Sequence, residues 1–228
     1  MDVATLQRRL KALGLDPGPV DGIAGTKTRA AILRALTNRS APALTASQIA
    51  GVAADLRVPV GHIRGVRTVE APRGAYDDQG RPTTLYEPHV FSRQSEHRFD
   101  RSHPKLSYKQ WKSGAYGPFS VQYIKLLDAC ALDPGAAFQA CSWGAFQVLG
   151  ENAVDLDYED AFAMVVALTV SEAAHLDSFV RFVRFKKLED ELRACRPGDP
   201  KSCEAFVAVY NGTGQVKKYS AWLAEAIR

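Results

Sequence analysis

Two glutamates in this sequence are spaced and flanked for acid–base chemistry. Glu70 closes an apolar-periodic run, and Glu87 follows the strand-like stretch Thr83-Thr84-Leu85-Tyr86. Cleaving a glycosidic bond requires a proton for the leaving oxygen and stabilisation of an oxocarbenium-like centre, tasks that paired carboxyl groups perform from opposite sides of a sugar ring. Glu70 suits the proton donor, because a partly apolar helix end raises a carboxyl pKa toward neutrality. An acid at the C-terminal end of a helix also opposes the helix dipole, so its presence there argues for use. Glu87 is the expected second catalytic carboxylate, either activating water or orienting the site. Asp77 and Asp78 compete for that role, although both lie in a turn-rich stretch where aspartate is common for local reasons. Asp78 and His89 are expected beside the substrate. His89 with Glu87, His97 and His103 raises the question of a metal, but no HExxH-type spacing supports one, and no metal or other cofactor is expected. Ser142-Trp143-Gly144-Ala145-Phe146-Gln147 and Tyr210-Asn211 supply aromatic and amide groups able to hold a sugar. The competing reading is that Trp143 and Phe146 fill the core.

The elements that must position these groups follow from apolar spacing. Val3, Leu6, Leu10 and Leu13 predict a first helix, Gly14 to Pro19 break it, and Thr26 is expected to cap a second helix bearing Ala30, Leu33 and Leu36. So small a unit has a thin core and is expected to lean on its neighbour. Thr37 to Ala43 reads as a polar, proline-containing linker. Thr45 to Gln48 is a capping box. Pro59 fits the first turn of a further helix, lined by Ile63, Val66 and Val69, that ends at Glu70. Residues 74–91 read as a hairpin or small sheet and 92–120 as irregular. Helices are expected at about 120–130, 134–141, 144–152, 159–182, 185–194, 200–210 and 215–227. The fold class is therefore mainly α, an α+β catalytic domain over 44–228 with a small antiparallel sheet, joined by a 38–43 linker to a small helical domain at 1–37.

Composition excludes several classes. With 46% hydrophobic and 24% charged residues the chain is not disordered. The longest apolar run, Ala161 to Val170, is too short to span a bilayer, so no stable membrane insertion is expected. Residues 1–42 carry seven Arg or Lys against three Asp, whereas the remainder balances. Such a cationic module suits a polyanionic surface such as a bacterial wall. No basic run interleaves with aromatics, so nucleic acid is not an expected partner. Cys130, Cys141, Cys195 and Cys203 form no CxxC and are expected as buried thiols. Met1 to Thr5 lead directly into an amphipathic pattern without a signal-peptide profile. A monomer made in a cytoplasm is expected.

With these residues in view, 44–227 resembles the N-acetylmuramidase family of bacteriophage endolysins, within the lysozyme-like superfamily. The resemblance is carried by Thr68-Val69-Glu70, Gly80-Arg81-Pro82, Leu85 to Arg93, Ser142 to Asn152, Ser171-Glu172, Leu176 to Phe179 and Tyr210-Asn211-Gly212. It implies that Glu70 is the catalytic acid and that Trp143 to Gln147 line a glycan groove. The substrate it implies is peptidoglycan, cut at the β-1,4 bond between N-acetylmuramic acid and N-acetylglucosamine. Lytic transglycosylation to a 1,6-anhydro end is the alternative within the class, and a non-catalytic wall-binding protein the alternative outside it. Residues 3–36 resemble a peptidoglycan-binding domain through Leu6 to Leu10, Leu13-Gly14, Val20 to Gly25 and Thr28, which marks Asp21, Gly22, Gly25 and Thr28 as its wall-binding residues. The usual Phe-Gln of a third helix is absent after Leu36, and Ala71-Pro72 replaces the serine or glycine common after the acid. The resemblance further implies synthesis in a host cytoplasm, passage to the periplasm assisted by a holin, and host lysis.

Overall fold

A computed structural model describes residues 1–112, 114 and 116–228. Helix α1 (Val3–Ala12) begins where the Asp2 carboxylate accepts the Thr5 amide, and it buries Val3, Leu6 and Leu10. Helix α2 (Thr26–Ala35) starts from Gly25 without a side-chain cap, so Thr26 is its first residue and not the cap its type suggests. Neither helix completes a core alone. Leu6, Leu10, Ala31, Ile32 and Leu36 belong to one continuous apolar cluster with Tyr86, Phe91, Leu126, Phe138, Phe162 and Leu168.

Polar contacts close the same seam. Arg9 pairs with Asp160 and, at 3.1 Å, with Glu159; Arg29 meets Asp128 at 2.7 Å. The 38–43 stretch is tied down too: the Asn38 side chain donates to the Thr169 carbonyl at 2.9 Å, and the Glu172 amide donates to the Pro42 carbonyl at 3.0 Å. The expectation that the small unit leans on its neighbour is met, and more tightly than a flexible linker would allow.

A second cluster is built by α3 (Ala46–Leu56), α4 (Val60–Glu70), α9 (Glu172–Phe185), α10 (Glu189–Ala194), α11 (Pro200–Tyr210) and α12 (Val216–Ala226). Thr45 makes both halves of the capping box with Gln48. Pro59 is the N-cap of α4, one position before the first turn. Helix α4 buries Ile63 and Val66, and α12 packs closely on it at Gly65, where a Cβ would fall 2.4 Å from Ile227 Cγ2.

The sheet has three short antiparallel strands in the order β1 (Thr84–Tyr86), β2 (Cys141–Trp143), β3 (Val148–Leu149). The hairpin or small sheet expected over 74–91 is present in short form: a Tyr76–Pro82 bridge closes a turn, β1 joins the sheet by pairing with a strand far along the chain, and α5 (Pro88–Gln94) follows at once. Helix α6 (Gln122–Cys130) and α7 (Pro134–Gln139) lead into β2. A helix over 144–152 does not form, because Gly144 has φ of 72° and Gln147 φ of 47°, both left-handed. The expected 159–182 helix is two: α8 (Ala161–Leu168) stops, and Ser171 caps α9 by accepting the Ala174 amide. All four cysteines are buried free thiols. Among the described residues no helix is long and apolar enough to cross a membrane.

Candidate active site

The apolar stripe of α4 fixes where Glu70 can be. With Ile63 and Val66 facing the core and α12 seated on Gly65, the last residue of α4 opens into a cavity of about 230 Å³. Pro72, Arg73, Thr83, Leu85, Phe119 and Gln147 line it with Glu70. One carboxyl oxygen of Glu70 accepts a 2.7 Å hydrogen bond from Asn211 Nδ2. Burial raises the Glu70 pKa to about 7, against the smaller lowering by that bond. Asn211 is the C-cap of α11, and the preceding Tyr210 anchors that helix end by donating to the Phe146 carbonyl at 2.6 Å.

Glu87 follows directly on the first strand of the sheet. In β1, Thr84 and Tyr86 are buried while Leu85 between them is partly exposed, and Glu87 continues that alternation before serving as N-cap of α5. Its amide is pinned to the Ala140 carbonyl at 2.8 Å. Its carboxylate accepts from Ser142 Oγ at 3.0 Å and from the Tyr116 hydroxyl at 3.3 Å, and His89 Nε2 lies 3.7 Å away. Burial pushes the Glu87 pKa up, and the Ser142 and Tyr116 hydrogen bonds hold it down. The pKa of His89 is lowered, first by burial and then by Arg93, so it is mostly neutral at pH 7. Burial raises the pKa of the Tyr219 hydroxyl on α12, and the charges of Glu70 and Glu87 add to that rise.

The remaining expected residues divide. Ser142 touches Glu87, Gln147 lines the Glu70 cavity, and Asn211 holds Glu70. Trp143 and Phe146 are corrections. Each is 1% exposed; Trp143 stacks on Phe138 and donates its indole N–H to the Phe138 carbonyl, while Phe146 stacks on Phe179. They are core, and no sugar can stack on them. Asp78 is exposed outside the lining of the Glu70 cavity, on a turn whose shape Asp77 fixes by accepting the Gln79 and Arg81 amides. In the small unit, the Asp21 carboxylate takes up the Gln7 side chain and the Ile23 amide, and the Gly22 amide donates to Gln7. Thr28 is buried and donates to the Pro17 carbonyl, and Gly25 caps α2. These groups shape the 17–25 loop, leaving Ile23 at 67% exposure as its protruding apolar side chain.

Sequence reasoning missed Trp111, Tyr116 and Phe119, which approach the acids from the 97–121 stretch. Trp111 Nε1 donates to the Tyr116 hydroxyl at 2.7 Å, and Arg73 lies over the Phe119 ring. An aromatic-rich irregular segment after two carboxylates was the available signal.

Comparison with known proteins places the chain among phage lytic proteins. The family model described as N-acetylmuramidase matches residues 59–228, and that of a putative peptidoglycan binding domain matches residues 1–35. A protein described as an endolysin from Enterobacteria phage PRD1 is 27% identical over 113 residues, 49% of this chain and 74% of that protein. The crystal structure of the Burkholderia AP3 phage endolysin superposes with a TM-score of 0.69 at 31% identity, covering 99% of this chain and 92% of that one.

Proposed function

We propose, from the premise that this chain belongs to the N-acetylmuramidase family and is a glycoside hydrolase of peptidoglycan, that it hydrolyses the β-1,4 bond between N-acetylmuramic acid and N-acetylglucosamine. The observation that carries this reading is Glu70, a carboxylic acid at the head of a cavity whose burial raises its pKa to about 7. Near neutral pH a substantial fraction of Glu70 is protonated and can give its proton to the leaving oxygen as the bond breaks. Asn211 turns the carboxyl by donating to one oxygen, which leaves the other for the glycosidic oxygen. Glu87, its carboxyl group held by two hydroxyls, either stabilises the positive charge developing on the sugar or takes a proton from the attacking water. The names of the phage relatives support a role in lysing a bacterial host. On that reading the enzyme is a monomer that gains the periplasm when a holin opens the inner membrane, and the Ile23 loop of the small unit meets the wall.

Glu70→Gln keeps the shape and the Asn211 contact but removes the proton. Its expected effect is a loss of ~10²–10⁴ in turnover on sacculi with folding intact. A folded E70Q enzyme that retains substantial activity overturns the assignment. Mass spectrometry of unreduced fragments checks the bond chemistry: hydrolysis leaves a reducing muramic acid, whereas transglycosylation leaves an end lighter by one water.

A further inference from the structure

Tyr116 stands between two partners of fixed character. The Trp111 indole has only a donor N–H, so at 2.7 Å the Tyr116 oxygen must accept from it. The hydroxyl proton of Tyr116 is then left for Glu87 Oε2, 3.3 Å away. The backbone around Tyr116 is held as well: its carbonyl accepts from Gln122 Nε2 and from Lys125 Nζ, both at 2.8 Å, which roots it on α6. A hydroxyl is free to rotate, but this one has a single direction open to it. The 3.3 Å contact is long for a hydroxyl on a carboxylate, as catalytic hydrogen bonds often are before substrate tightens them.

We propose that Tyr116, directed by Trp111, is a positioning residue that fixes the orientation of the Glu87 carboxyl group and favours its charged form. The proposal rests on the hydrolytic reading above and deepens it, by giving the Tyr116 hydroxyl a direction and an anchor. The other groups around Glu87 do not supply this. Arg93 and Glu151 pair with each other at 2.5 Å, and His89 has its pKa lowered by burial. Tyr108 and Tyr219 are hydroxyls with raised pKa values, and burial keeps the Cys141 thiol neutral. Two neutral O–H donors therefore face the carboxylate, Ser142 from β2 and Tyr116 from the opposite segment. Trp111 is itself 42% exposed, so solvent and substrate both reach the outer end of the chain of donors.

The test is a ¹³C-carboxyl titration of Glu87 by NMR, assigned through the signal lost in E87Q, alongside pH–rate profiles on dye-labelled sacculi. In Tyr116→Phe the Glu87 midpoint should rise by about one pH unit, the worth of one hydrogen bond to a charged group. The acid limb of the rate profile should move up with it, and kcat should fall with KM little changed. Ser142→Ala should shift the midpoint in the same direction. Trp111→Phe, which keeps the hydroxyl but frees its rotation, should give a smaller shift of the same sign. A Glu87 midpoint unmoved in folded Y116F, while S142A moves it, overturns the proposal. If Y116F shifts the midpoint but E87Q turns over like the wild type, the donor chain stands and the catalytic use of Glu87 falls.

Discussion

At the scale of single residues, Glu70 carries a cost that its chemistry explains. A carboxyl whose pKa is about 7 in the folded protein against 4.5 ordinarily binds its proton more tightly folded than unfolded. Stability from this group is therefore greatest at low pH and is lost as pH rises from about 4.5 through 7. The full shift corresponds to roughly 3 kcal/mol. E70Q, which never ionises, should thus melt higher than the wild type at pH 8, and the two should converge at pH 5. A melting difference that ignores pH would show that Glu70 is not the buried acid described here. The position of this residue was legible in the sequence, because Ile63, Val66 and Val69 fix the face of α4 on which it ends. Its neighbours were less so. Trp143 and Phe146 belong to a segment that alternates between strand and single turns, so no helical or strand period reveals that both point inward. The contact of Tyr116 with Glu87 spans an irregular stretch that no periodicity can measure.

Among elements, the join between β2 and the turn after it depends on one imidazole. Gly144 has φ of 72°, donates its amide to the Thr83 carbonyl at 2.7 Å, and has no room for a Cβ, which would lie 2.2 Å from His175 Nδ1. His175 accepts the Ala145 amide at Nδ1, so its other nitrogen carries the proton and donates to the Leu168 carbonyl at 2.7 Å. Burial lowers its pKa to about 4, and it stays neutral. The imidazole thereby ties the β2 turn, the end of α8 and the body of α9 into one unit beneath Gln147. Gly144→Ala should cost about 2–4 kcal/mol, combining a left-handed backbone with a clash against a buried ring. Thermal unfolding checks this: a variant melting within a degree or two of the wild type would refute the account. Glycine at 144 and serine at 171 are the end signals at this junction, although the apolar spacing alone reads as helices over 144–152 and 159–182. What sequence could not show was that a histidine thirty residues on fills the space a side chain would need.

For the whole molecule, the small unit and the rest of the chain share one apolar core. Leu6, Leu10, Ile32 and Leu36 share a core with Tyr86, Phe138 and Phe162, and Arg9 covers the Phe162 ring at 5.0 Å. Calorimetry should show a single transition for the full chain. Deleting residues 1–43 would bare that apolar face, and the remainder should melt markedly lower and bind hydrophobic dyes, with lysis reduced even on soluble glycan fragments. Two independent transitions, or a truncated protein as stable as the intact one, would show the seam to be dispensable. A linker of the composition of 37–43 suggests two bodies on a string, and the charge of the first suggests a detachable anchor. The structure differs because Asn38 and Pro42 are bonded to the larger unit, so the segment has little freedom to swing.

That shared core also sets an order of events during synthesis. Residues 3–36 leave the ribosome long before the partners that complete their packing, which extend to Phe162 and Leu168. Arg9 must wait for Glu159 and Asp160, some 150 residues later. Contacts so distant along the chain make folding slow and leave apolar surface uncovered while translation proceeds. The small unit is thus finished long after it is made, and a nascent chain halted before Glu159 lacks Phe162, Leu168 and the acidic partners of Arg9.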